Sequence, residues 1–274
     1  MVQINHIYNK NCLEFLKEAD DHSIDVVVTS PPYNTSKKAS QEVSEKKKRE
    51  GRLEKGWRQH ASRYDVFQDQ QTDDEYADFI ASIFNALDSK LKPDGTVVWN
   101  VSYGIGDTGK PNYAVWYSLL AIMDKTPFAL VDYIPWKKPI TTALNTKNDL
   151  TRICEIIWVF ARKTEISTYH VNRERLKGCH ASQPLENWLQ TKACNDEVCD
   201  FNAATYPSEL VEKSLVIYGK PGGLVYDPFM GTGTTAVGAI SCGMNYIGTE
   251  LSPNQCKWAE RRIKRFKGNS LWFR

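Results

Sequence analysis

Runs rich in apolar and β-branched residues alternate along this chain with stretches of helical periodicity, and that alternation leaves few folds open. The runs IDVVVTS (24–30), TVVWNV (96–101), FALVDYIPW (128–136), EIIWVFA (155–161), GLVYDPF (223–229) and NYIGTEL (245–251) read as buried strands. CLEFLKEA, Cys12 to Ala19, reads as a short helix. Glu75 to Lys90 places Tyr76, Phe79, Ile80, Ile83, Phe84 and Leu87 on one helical face, and Pro93-Asp94-Gly95 is predicted to end that element. Further helices are predicted over Ser208–Tyr218, over TTAVGAISCG and after Ser252. There Ser252 as N-cap, Pro253 in the first turn and Gln255 three residues on suggest a capping box. This order predicts an α/β fold built on a doubly wound, mostly parallel sheet.

A chain of 274 residues suits one such domain over 1–274, and 41% hydrophobic with 11% aromatic residues is the composition of a folded protein. No charged-then-apolar opening stretch and no run of eighteen apolar residues occurs, so neither secretion nor membrane spanning is predicted. Seven scattered cysteines fit a reducing, cytoplasmic setting better than a disulfide framework. Net charge is only +2, but Lys37 to Arg63 holds ten Lys or Arg against four Glu. That tract, an insertion over 35–65 that begins with Lys37 and Lys38, is either a solvated loop or a polyanion contact. From Thr164 to Thr205 the periodicity dissolves, which predicts a second, mainly irregular insertion.

Two features carry chemistry. IDVVVTS runs straight into Pro31-Pro32-Tyr33, so a buried strand stops in two prolines and an aromatic. Far downstream, YDPFMGTGTTAVGA (226–239) reads as a strand, a turn carrying Gly231 and Gly233, and a helix N-terminus. Glu250 closes the next strand 23 residues beyond Asp227, a position from which a carboxylate can accept hydrogen bonds from ribose hydroxyls. No Lys follows the glycines as a P-loop requires, and the third glycine of the dinucleotide fingerprint is missing. A nucleoside without a required pyrophosphate remains, which fits S-adenosylmethionine.

TSPPY (29–33) and DPFMGTGTT (227–235), in this order and about 195 residues apart, resemble the amino-methylating DNA methyltransferases. The catalytic motif ahead of the cofactor motif resembles the circularly permuted beta group of that family. KPDGTVVWNV, YIPWKKP, EIIWVFARK, YPSELVEKSL and NYIGTELSPNQCKWAERRI extend the likeness over most of the chain, leaving 35–65 and 164–205 unmatched. Lys10-Asn11 stands where relatives usually have Gly-Asp, and Tyr206-Pro207 where they have His-Pro. The resemblance implies a permuted, Rossmann-like domain of the S-adenosylmethionine-dependent type, with 164–205 as target-recognition segment. The reaction it implies is methyl transfer to cytosine N4 or adenine N6 of a base flipped from the duplex.

Carried onto these residues, the resemblance assigns catalysis to Ser30, Pro31, Pro32 and Tyr33. The Ser30 hydroxyl and the Pro31 carbonyl would accept from the two amine hydrogens, the prolines would hold them extended, and Tyr33 would offer a face to the base. Cofactor contacts are expected from Asn11, Tyr206, Asp227, Pro228, Phe229, Gly231, Gly233, Thr234 and Glu250. DNA contacts are expected from Lys37, Lys38, Trp136, Lys137, Lys138, Arg173 and Arg175, with His170 and Lys177 beside them; Trp136 reads equally as a core residue at a strand end. Cys179, His180, Cys194 and Cys199 match no familiar zinc spacing, and no metal is predicted. The expected partners are double-stranded DNA and a cognate restriction endonuclease, in a bacterial, archaeal or phage-type cytoplasm, for a monomer or homodimer. Ser before Pro-Pro-Tyr favours cytosine N4; adenine N6 is the alternative. RNA or protein-glutamine methylation, or an inactive DNA-binding relative, stand further off.

Overall fold

The structure is a computed structural model that describes residues 2–34, 71–102, 113–138, 153–168, 187–192 and 205–269. Its described elements run β1 (His6–Tyr8), α1 (Cys12–Glu18), β2 (Ile24–Thr29), α2 (Asp73–Asp88), β3 (Leu91–Val101), α3 (Tyr113–Lys125), β4 (Phe128–Lys137) and β5 (Cys154–Arg162). A 3₁₀ turn (Lys163–Thr168) and β6 (Leu189–Gln190) follow. The chain then forms α4 (Ser208–Tyr218), β7 (Leu224–Asp227), α5 (Thr234–Ser241), β8 (Asn245–Thr249) and α6 (Pro253–Asn269).

The eight strands form one sheet in the order β1-β8-β7-β2-β3-β5-β4-β6. Only β5 runs against its neighbours, pairing antiparallel with both β3 and β4, while the other pairings are parallel. The expected doubly wound sheet is therefore present, and its permuted order is plain. The central neighbours β2 and β7 lie far apart in the chain, with the strand of the glycine turn coming second.

Alternation along β2 explains the two cores. Val27 belongs to a cluster with Phe15, Phe84, Trp99, Phe128 and Phe160, under α1, α2 and α3. Val26 and Val28 face the other way, into a cluster with Leu210, Val211, Leu215, Val237 and Ala259 under α4, α5 and α6. A strand buried on both faces has no polar side to show, hence the unbroken IDVVVT.

Helix α2 begins two residues before the predicted start. Thr72 and Glu75 form a full capping box, with Glu75 N donating to Thr72 Oγ1 (3.2 Å) and Thr72 N to Glu75 Oε2 (2.9 Å). Its apolar stripe is buried as predicted, apart from the half-buried Phe79.

Three expectations need correction. Pro93-Asp94-Gly95 lies inside β3, not after the helix, in a bulge between the register pairs Ile24–Leu91 and Val26–Thr96. Arg162 makes this possible: it is buried and bonds the carbonyls of Lys92 and Leu91 (both 2.7 Å) and the Asp88 carboxylate (2.7 Å). The box at Ser252 is only half made. Gln255 N donates to Ser252 Oγ (3.2 Å), but the Ser252 amide goes to Glu250 Oε1 (2.8 Å). Helix α3, finally, falls where the sequence predicts no element. Its inner face, Ala114, Val115, Ser118, Ala121 and Ile122, is small or short and gives a weak stripe.

Phe84 is the hub of the first core, with ring centroids 5.0 Å from Trp99, 5.4 Å from Phe128 and 5.0 Å from Phe160. Phe84→Ala is expected to lower stability in urea unfolding by about 3–5 kcal/mol, while Phe79→Ala, on the half-buried flank of the same helix, costs less.

Candidate active site

Strands β2 and β7 end side by side, and their ends carry the two motifs. Thr29 Oγ1, buried, donates to Asp227 Oδ1 at 2.6 Å, and Thr235 Oγ1 donates to the Val28 carbonyl at 3.3 Å. Ser30-Pro31-Pro32-Tyr33 and the glycine turn therefore leave the same edge of the sheet, beyond the carboxyl ends of its parallel strands. That is where open α/β sheets bind ligands.

The prolines are buried, and Tyr76 Oη of α2 donates to the Pro32 carbonyl at 2.7 Å. Asn34 and Gln71 exchange two hydrogen bonds, Asn34 Nδ2 to Gln71 O (2.8 Å) and Gln71 N to Asn34 Oδ1 (3.0 Å). The chain thus leaves for the basic tract, and returns from it, at one point beside Tyr33.

Ser30 and Tyr33 are half-buried, and their hydroxyls lie 2.7 Å apart. Asn100, one residue before the end of β3, donates through Nδ2 to Tyr33 Oη and to Glu155 Oε2, both at 2.9 Å. Tyr33 Oη also donates to Glu155 Oε2 at 3.3 Å, and Lys138 Nζ holds the other Glu155 oxygen at 3.2 Å. Asn100 and Glu155 escaped the sequence reading. The available signal was an acid opening the apolar run EIIWVFA and an amide inside TVVWNV, each costly to bury without a partner.

On the cofactor side, Gly231 and Gly233 have φ of 52° and 83°, the left-handed region that an L side chain disfavours. A Cβ on Gly233 would also stand 3.0 Å from the Ala259 Cβ, so the turn packs tightly on α6. Gly231 N donates to Glu250 Oε2 (2.9 Å) and Ser252 N to Glu250 Oε1 (2.8 Å), tying the acid to the turn. Phe229 packs 6.2 Å from Phe79 and 6.1 Å from Trp99. Thr249 Oγ1 donates to the Pro228 carbonyl (2.9 Å).

Thr234 is buried and accepts from Arg262 Nη1 (2.7 Å), which straps the turn to α6. Asn11 caps α1, accepting from Leu13 N at 2.8 Å. Tyr206 Oη bonds Thr235 Oγ1 (2.7 Å), and burial together with the Asp227 charge raises its pKa well above the ordinary value.

The expected DNA contacts divide. Trp136 is buried and donates to Thr191 Oγ1 at 3.1 Å, so it belongs to the core, and its placement among DNA contacts is corrected. Lys137 lies over the Trp188 ring at 5.9 Å, and Lys138 is engaged with Glu155. Lys37, Lys38, Arg173 and Arg175 lie outside the described residues, as do His170, Lys177, Cys179, His180, Cys194 and Cys199. Among the described residues no group of three or more His, Cys, Asp and Glu could hold a metal ion, and no helix is long and apolar enough to cross a membrane.

Comparison with known proteins defines the class. The N6_N4_Mtase profile, described as DNA methylase, matches residues 24–261, and the chain belongs to that family. It is 23% identical over 266 residues to the Type II methyltransferase M.BglII of Bacillus subtilis, covering 90% of this chain and 66% of that protein. It is 30% identical over 241 residues to M.MwoI of Methanothermobacter wolfeii, covering 84% of this chain but 29% of the relative. The chain thus spans about two thirds of the length of the first relative and under a third of the second. Among solved structures, the PvuII DNA methyltransferase (cytosine-N4-specific) superposes with a TM-score of 0.71 at 19% identity, over 97% of this chain and 92% of that one. M1.HpyAVI in complex with SAM gives 0.61 at 17% identity, over 94% and 98%.

Asp227 generates a prediction. Burial pushes its pKa up from 3.8 to about 6, against the lowering pull of the Thr29 hydroxyl and the Phe229 amide. Its Oδ2 atom is buried and has no hydrogen-bond partner among the described residues. The native state therefore binds the proton more tightly than the unfolded chain does. The stabilising contribution is complete below pH 3.8 and is lost as pH rises through about 6. Asp227→Asn keeps an oxygen acceptor for Thr29 and Phe229 but cannot ionise. Its stability relative to wild type is expected to improve by about 2 kcal/mol between pH 4 and 7 in urea unfolding. A pH-independent difference would refute this.

Proposed function

We propose that this chain is a DNA methyltransferase acting on the exocyclic amine of a flipped base, with cytosine N4 as the target. The observation that carries the reading is the Thr29–Asp227 bond at 2.6 Å, which brings the Ser-Pro-Pro-Tyr strand end against the glycine turn. Family membership and the permuted order of the two motifs support it.

An exocyclic amine is a weak nucleophile because its lone pair is delocalised into the ring. Acceptors aimed at its two hydrogens favour a tetrahedral nitrogen, and acceptors fixed in advance need no reorganisation. Ser30 Oγ is one. The Pro31 carbonyl is the proposed second, next to the Pro32 carbonyl that Tyr76 holds. Tyr33, anchored through its hydroxyl, would offer its ring to the extruded base.

The residues present fit S-adenosylmethionine, which supplies an electrophilic methyl group when bound. Glu250, held by two amides at the end of β8, suits ribose hydroxyls, and the turn through Asp227, Pro228, Phe229, Gly231 and Gly233 lets the backbone come close. Residues 227–235 carry no Lys or Arg, the mark of a site that need not hold phosphates. Asn11 and Tyr206 flank this set as proposed contributors.

Double-stranded DNA is the proposed partner, gripped through Lys37, Lys38, Lys137, Arg173 and Arg175, with the segments 35–65 and 164–205 reading sequence. A cognate restriction endonuclease is the proposed companion. The preference for cytosine rests on Ser30, where N6 enzymes more often have Asp.

Nucleosides from DNA of cells expressing the chain are expected to include N4-methyldeoxycytidine by mass spectrometry. Finding only N6-methyldeoxyadenosine would overturn the cytosine assignment, and finding neither would overturn the activity. Ser30→Ala is expected to lower kcat by about 10²–10³-fold and to leave the Kd for S-adenosylmethionine unchanged.

A further inference from the structure

A hydroxyl can accept from the amine only if its own proton points elsewhere, and Ser30 has one neighbour that decides this. Tyr33 Oη, 2.7 Å from Ser30 Oγ, lies between the Asn100 amide at 2.9 Å and the Glu155 carboxylate at 3.3 Å. Asn100 Nδ2 can only donate to it, and a carboxylate oxygen can only accept from it. The Tyr33 proton is therefore drawn to Glu155, the Ser30 proton to Tyr33, and Ser30 Oγ turns its lone pairs outward.

Remove the carboxylate, and the Tyr33 proton can turn to Ser30 Oγ, 2.7 Å away. The Ser30 proton would then face the incoming amine, donor against donor. We infer that Glu155 is a positioning residue for methyl transfer: through Tyr33 it sets the direction of hydrogen bonding that makes Ser30 an acceptor. This inference rests on the methyl-transfer reading above.

The frame is built to hold Glu155 there. Because β5 runs against β3 and β4, its second residue reaches the edge where β2 and β3 end, paired in register with Trp136 of β4. Lys138 holds one carboxylate oxygen at 3.2 Å, and Asn100 reaches the other at 2.9 Å while also contacting Tyr33. Lys138 and Asn100 both donate to Glu155. Glutamine in its place would meet one of them with its own N–H, so Glu155→Gln disturbs the polarity while keeping the size.

The test measures methyl transfer from tritiated S-adenosylmethionine to DNA from a methylation-deficient bacterial host. Glu155→Gln is expected to lower kcat by about 10- to 100-fold, less than the loss of an acceptor that touches the reacting amine, with KM for S-adenosylmethionine unchanged. In a Ser30→Ala background the same substitution is expected to change kcat by less than about twofold, because its route runs through Ser30. A merely structural role would give the same loss in both backgrounds and overturn the inference, as would full kcat in Glu155→Gln. If that variant does not fold by circular dichroism, Tyr33→Phe cuts the same link and keeps the ring. It is expected to show the same dependence on Ser30, and undiminished kcat there is equally fatal. A wild-type chain that transfers no methyl group to DNA would overturn the functional reading itself, whereas active wild type with an equally active Glu155→Gln overturns this inference alone.

Discussion

The hydrogen bond from Thr29 Oγ1 to Asp227 Oδ1 spans 2.6 Å in space and nearly two hundred residues of chain, and both residues are only 1% exposed. Asp227 Oδ1 also accepts from the Phe229 amide at 2.9 Å, so one oxygen fixes the end of β2, the end of β7 and the start of the glycine turn. A bond of this kind adds only about 1 kcal/mol net, far less than the two cores on either side of the sheet. Its importance is directional. Leaving a buried hydroxyl or carboxylate unpaired is costly, so register slips between β2 and β7 are penalised. Ser30 and Gly231 keep their relation because their strands cannot slide.

The frame was largely legible because burial on both faces leaves an unmistakable trace. IDVVVT, TVVWNV and EIIWVFA can hardly be anything but interior strands, and the stripe from Tyr76 to Leu87 marks a helix against them. Illegible were the features that depend on a distant partner. The bulge at Pro93-Asp94-Gly95 reads as a turn in isolation but is part of β3, where Arg162 bonds the carbonyls of Leu91 and Lys92 just before it. The amide of Ser252 goes to Glu250 because that acid stands at the end of the preceding strand, which outweighs the local box with Gln255.

The site shows the same division. Ser30, Tyr33, Asp227, Gly231 and Glu250 sit in short runs whose composition is odd for a strand end, so they announce themselves. Asn100 and Glu155 sit within runs that look like ordinary core. Glu155 acquires its place from the single reversed strand, and no local pattern states that β5 runs against its neighbours. Trp136 is the converse case. Beside two lysines it reads equally as a DNA contact and as a core residue, and its indole nitrogen finds Thr191, just beyond a short strand that sequence periodicity does not reveal.

Polar satisfaction across the described residues separates frame from site. Five buried side-chain atoms have no hydrogen-bond partner, and four of them crowd this one edge. Asn100 Oδ1 and Asp227 Oδ2 belong to residues at its centre, Gln71 is bonded to Asn34 next to Tyr33, and Gln255 Oε1 would lie 3.3 Å from a Cβ on Gly231. Folded chains leave few such atoms, since each forfeits about 1–3 kcal/mol, and random defects would be spread through the molecule. Their concentration where β2, β3 and β7 end puts these atoms on the edge that also carries the two motifs. A chain with apolar side chains in place of Asp227 and Asn100 would have two fewer such atoms. It would then lose the link between β2 and β7 and the amide that joins Tyr33 to Glu155, which together give Ser30 its fixed surroundings.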